Sequence, residues 1–176
     1  MEQFDRVLLR GFACATVIVL AALAWPSEGW SQMTKPACDI RAIVTEQLTN
    51  WTKKLAESSS QNPEPVVGTY EPRDAVLLPT CATGFRVGRE QITLYFEKFL
   101  EDQPRGKIDP QAAKIGGDCE FPFASGNYLF TLNGGTGPEV RARYTFIFQR
   151  TDSGYLIAQH HSSLQPLVPE AKCPVH

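Results

Sequence analysis

Hydrophobic and polar positions change their period along this chain. Residues 12–25 (FACATVIVLAALAW) form an apolar run with no charge. Residues 39–56 then place Ile40, Ile43, Val44, Leu48, Trp51 and Leu55 on one face of an amphipathic helix. Asp39 is its natural N-cap, and residues 58–61 end it. Asn62 followed by Pro63 caps a second, short helix or turn through Val67. Residues 74–79 (DAVLLP) predict a strand closed by Pro79, and residues 80–86 a loop or short return strand. Gly88 opens a third helix over 89–102, with Ile92, Tyr95, Phe96, Phe99 and Leu100 inward and Pro104 and Gly106 beyond its end.

After about residue 107 the period becomes that of strands. Residues 111–116 predict one strand, and 121–132 (FPFASGNYLFTL) a long one bent at Gly126. The glycine-rich segment 133–138 predicts a hairpin loop. Residues 139–150 (EVRARYTFIFQR) alternate, with Ala142, Tyr144, Phe146 and Phe148 on one face and Arg141, Arg143, Thr145 and Ile147 on the other. Residues 151–154 turn the chain into a last strand, 155–163 (YLIAQHHSS). Helices early and antiparallel strands late predict the α+β class. The expected architecture is a cone: a curved antiparallel sheet with about three N-terminal helices packed on its concave face.

The leading apolar run changes the compartment expected. As a helix its 14 residues rise about 21 Å, short of a bilayer core of about 30 Å. Arg6 and Arg10 precede it, Pro26 breaks it, and Gly29 and Ser31 follow. This pattern predicts a signal peptide over 1–31 and a periplasmic or secreted protein. Residues 32–166 form the expected domain, and 167–176, with Pro169 and Pro174, an irregular tail. Removing 31 of the 176 residues leaves 145 with a net charge of −1. That balance gives no basic excess for nucleic acid, and no second apolar span implies a membrane.

Cleavage also turns five cysteines into four: Cys38, Cys81, Cys119 and Cys173. In an exported chain an even count suggests disulfides, and four cysteines allow three pairings. The pairing favoured here is Cys38–Cys173 with Cys81–Cys119; buried free thiols are the alternative. No two cysteines have a metal-ligand spacing, and neither a metal nor a cofactor is expected.

The stretch from Tyr70 to Pro166 resembles the nuclear transport factor 2-like, or SnoaL-like, superfamily. The residues that carry the likeness are LYFEKFL (94–100), KIGGD (114–118), and the ending FIFQRTD (146–152), YLI (155–157) and HHSS (160–163). Within the superfamily they are most similar to the association, or hub, domain of calcium/calmodulin-dependent protein kinase II and its free-standing bacterial relatives. The resemblance implies a cone with a pocket and self-association into a homodimer or larger assembly. It implies no kinase activity, since nothing here resembles a kinase domain.

Candidate site residues follow from both lines. Neighbouring strand residues point to opposite faces, so only one of His160 and His161 can enter a pocket. The resemblance selects His161, as a hydrogen-bond donor or general base. Arg143 is the candidate clamp for an anion if its face is concave, and a solvated charge if it is convex; Glu97 is its candidate partner. The alternation does not say which face lines the pocket. Trp51, Tyr70, Tyr95 and Tyr128 are candidate pocket walls, the phenols needing partners if buried. The lead reading is an exported, self-associating domain binding a small polar or anionic ligand. The alternative is a cofactor-independent isomerase, dehydratase or lyase using His161 with Asp74 or Tyr128. No acid lies centrally on a late strand, which weakens that alternative.

Overall fold

The computed structural model describes residues 38–166. The leader reading on 1–31, the tail 167–176 and Cys173 lie outside the described residues. Helix α1 (Ile40–Glu57) starts where the Asp39 carboxylate accepts the Ala42 amide at 3.0 Å. Its apolar stripe buries Val44, Leu48, Trp51 and Leu55. Helix α2 (Glu64–Val67) follows; Pro63 stands at its cap with no side-chain bond. Asn62, expected as that cap, instead closes a two-residue bridge with Ser59.

Seven strands form one sheet: β1 (Val76–Leu78), β2 (Arg86–Val87), β3 (Arg105–Ile108), β4 (Lys114–Gly116), β5 (Phe123–Thr131), β6 (Glu139–Thr151) and β7 (Gly154–Leu164). Helix α3 (Gly88–Phe99) lies between β2 and β3. The sheet order is β2-β1-β7-β6-β5-β3, with β4 paired beside β3 on β5. All pairs are antiparallel except β1 with β7. The α+β cone is therefore present as expected, a curved sheet with helices on its concave side. The start of α3 requires glycine. Gly88 has φ +71°, and a Cβ there would stand 2.7 Å from the Arg73 carbonyl oxygen.

The short return strand allowed over 80–86 is β2, only two residues long and antiparallel to β1. β3 was not anticipated: at four residues it is too short for a period to register in a sequence. The strand expected over 111–116 is cut to β4 because Pro110–Ala112 forms a 3-10 turn capped by Asp109.

The core lies between α1, α3 and the inward positions of β5, β6 and β7. Those positions are Ala124, Tyr128 and Phe130, then Ala142, Tyr144, Phe146 and Phe148, then Ile157, His160 and Ser162. The aromatic side of β6 is thus the concave side, and Arg141 and Arg143 lie on the convex one.

One irregularity governs everything after it. β6 and β7 pair as Phe148 with Ile157, but as Ile147 with Gln159, so Ala158 is an extra residue in β7. A bulge of this kind moves each later residue to the opposite face. The chain leaving α2 is fastened next to this point: the Glu71 amide donates to the Ile157 carbonyl and the Ile157 amide to that of Thr69, each at 2.9 Å.

The cysteine pairing differs from the one favoured. Cys38 bonds Cys119, tying the start of α1 to the loop before β5 across 81 residues. Cys81 is exposed and forms no disulfide among the described residues, at φ 58° in the turn after β1. The Cys38–Cys173 and Cys81–Cys119 pairs both fail, because the loop before β5 brings Cys119 against Cys38 at the entry to α1. Cysteine count cannot convey that proximity.

Candidate functional site

Within the cone is a cavity of about 50 Å³, walled by Trp51, Leu77, Tyr95, Phe96, Phe99, Tyr128, Phe130 and Val140. That space admits roughly three to five waters, or a ligand fragment of similar size. Its wall is almost wholly apolar. The polar exceptions come from three elements: Thr80 after β1, His160 and Ser162 on β7, and the phenols of Tyr95 and Tyr128. Thr80, Tyr95 and Phe99 also line an adjoining surface groove, so the mouth of the cavity lies there.

The polar groups form two short chains. Trp51 Nε1 donates to the Tyr70 oxygen at 3.2 Å. The Tyr70 hydroxyl lies 2.8 Å from His160 Nδ1. With its oxygen accepting from Trp51, the phenol's proton is assigned to Nδ1, since the reverse would leave that buried O–H with no acceptor among the described residues. His160 is then the tautomer with its proton on Nε2. This buried Nε2 has no partner among the described residues. In the second chain Tyr128 donates to Ser162 Oγ, which also bonds Thr80 Oγ1.

His160 is 3 % exposed, and its ring stacks on Phe146 with centroids 4.0 Å apart. Burial, with a minor contribution from His161, lowers its pKa to about 3. It is therefore neutral at ordinary pH. Burial also raises the phenols of Tyr70, Tyr95 and Tyr128 well above their usual range. Among the described residues no carboxylate lines the cavity. The arrangement offers a neutral N–H donor in an apolar chamber. Such a group is costly to leave unpaired, and it fits a ligand that brings an acceptor.

The family model for the calcium/calmodulin dependent protein kinase II association domain matches residues 44–166. The chain belongs to this family. A crystal structure of a calcium/calmodulin dependent protein kinase II association domain from Xanthomonas campestris is similar, with 39 % identity and a TM-score of 0.63. The match covers 71 % of this chain and 87 % of that one. A nuclear transport factor 2-like protein from Salmonella enterica has 12 % identity and a TM-score of 0.61, over 77 % of this chain and 97 % of its own. A ketosteroid isomerase-like protein from Erwinia carotovora has 14 % identity and a TM-score of 0.56, over 74 % and 98 %. At such identities these last two show the fold alone. No curated protein matches the chain.

Within this association domain the expected site residues divide. Trp51, Tyr95 and Tyr128 line the cavity, and Tyr70 supports it from behind through His160. His161 and Arg143 do come together, but in an open groove on the convex face. The bulge at Ala158 is the reason: it turns His160 inward and His161 outward. Asp74 is exposed in the loop before β1 and does not line the cavity. Glu97 is exposed on α3, on the helix side of the sheet, and forms no ion pair with Arg143. His160, Ser162 and Thr80 were missed. For His160 the only signal was its adjacency to His161.

Proposed function

We propose that this chain is an exported, self-associating association domain that binds a small neutral ligand inside its cone. The single observation that carries the ligand reading is the unpartnered Nε2 of His160 in a cavity with apolar walls. The ligand class follows from it: a compact, mainly apolar molecule with a carbonyl- or ether-type oxygen. An anionic ligand would meet no lysine or arginine among the described lining residues, and Arg143 lies on the other face. Self-association rests on the family, and export rests on the apolar leader at 12–25.

The geometry favours binding over catalysis. A histidine with a pKa near 3 is a poor general base at neutral pH. An isomerase or dehydratase of this fold would need an acid beside it, and Asp74 is on the surface.

The test is a calorimetric comparison of small cyclic ketones with hydrocarbons of the same size. The ketones are expected to bind more tightly to the wild type, and His160→Phe is expected to remove that preference. Equal binding of both classes would refute the donor role. Light scattering is expected to report a dimer or larger, and N-terminal sequencing of exported protein a start near residue 32.

A further inference from the structure

The convex face of the sheet carries a second candidate site. Lys114, Ser125, Thr145 and His161 are consecutive cross-strand partners on β4, β5, β6 and β7. The next outward row places Arg143 between Asn127 and Ser163. Strands lie about 4.8 Å apart and alternate residues about 7 Å apart along a strand, so these side chains share one small area. They line an open, shallow groove of about 430 Å³.

The charge pattern of that area is one-sided. Lys114, Arg143 and His161 line the groove, and among the described residues no carboxylate does. Neither Lys114 nor Arg143 takes part in an ion pair among the described residues. Arg143 spends one N–H on the Leu164 carbonyl at 3.2 Å, which holds its side chain across β7 and leaves its other donors available. The next row along the same face adds Lys107 and Arg141, both exposed. Yet the whole chain carries a formal charge of −2. Cations are therefore gathered around this groove against the average of the molecule, with the exposed Glu139 two residues beyond Arg141 on the same side of β6, while the ion pairs of α1 and α3 lie elsewhere. Hydroxyls complete the set. Ser125 and Thr145 bond each other at 2.9 Å across the groove floor.

We propose that this groove binds the phosphate-class oxyanion of a small soluble ligand. Arg143 and Lys114 supply the charge, and His161, Ser163 and Asn127 supply further donors. A planar guanidinium and an ammonium that line one groove, with no carboxylate among the groove's described lining residues, are suited to such a group. The site is independent of the cavity, since the sheet separates the two.

The experiment is calorimetry with inorganic pyrophosphate at constant ionic strength, with chloride as the control anion and light scattering on each sample. Saturable pyrophosphate binding is expected. Arg143→Ala and Lys114→Ala should each weaken it at least about tenfold, while His160→Phe should leave it unchanged. Circular dichroism should show both groove variants folded. Vesicles of anionic lipid are expected not to compete. Three results would overturn the proposal: no saturable binding, equal binding by the Arg143→Ala/Lys114→Ala double variant, or a loss of binding that tracks a change in oligomer mass. The last would make the face a contact between copies of the chain.

Discussion

His160 and His161 are adjacent in the chain and occupy two different media. The concave side of the sheet is aromatic and buried, and the basic side chain it carries there, His160, is kept neutral by burial. The convex side is wet, carries exposed Lys107, Lys114, Arg141 and Arg143, and leaves His161 in solvent. The same β6 strand builds both, with phenyl rings inward and guanidinium groups outward. The lesson is that polarity means opposite things on the two faces. Inside, one unpaired N–H is an energetic demand that selects a ligand. Outside, several cations are cheap individually, because water screens them. They become specific only where a groove makes them converge.

This contrast can be broken from the inside first. Trp51→Ala removes a ring that is 2 % exposed and packs against Phe146, Tyr128 and His160. Urea denaturation should show a loss of about 3–5 kcal/mol. Acid comes next. His160 stays neutral in the fold down to about pH 3, whereas the unfolded ring protonates near 6.5. The unfolded state binds the extra proton between those values, so stability falls as pH drops through that window. The slope attributable to this one group approaches about 1.4 kcal/mol per pH unit. Denaturation curves for His160→Phe, compared with the wild type across pH 4–7, should lack that component.

A smaller effect sharpens the picture of the donor chain. Tyr70→Phe strips the partner from both Trp51 Nε1 and His160 Nδ1. It should cost about 1–3 kcal/mol, measured by the same denaturation. On the outer face His161→Gln should change stability by less than about 0.5 kcal/mol, since the side chain is exposed and lacks a structural partner. A large loss there would show that the convex face is not the solvated surface described.

Much of the fold was legible because it rests on local period. The stripe of α1 from Ile40 to Leu55, the Asp39 cap and the alternation of β6 all follow from packing one apolar face, and each occurs as expected. The resemblance carried by residues 94–100 and 146–163 led to the family. The site was less legible. Were the hairpin of β6 and β7 regular from its turn, Tyr144 would lie opposite His161, and His161 would point inward. The inserted Ala158 shifts the pairing to Phe146 with His160 and Tyr144 with Ser162. Nothing in YLIAQHHSS marks one residue as extra. The bulge lies where the chain from Thr69 to Glu71 pairs with Ile157, a contact between segments almost 90 residues apart.

The cysteines show the same division. Their number is a property of the composition, but Cys38 meets Cys119 because α1 begins beside the loop that enters β5. The amino-acid sequence by itself determined the elements, the order of helices before strands and which residues are apolar. Only the tertiary structure decided which face of β6 is the inside, which histidine enters the cavity and which thiols meet. The physical reason is that period is set by each residue's near neighbours. Facing and pairing depend on register, and register is set by contacts between segments distant in the chain.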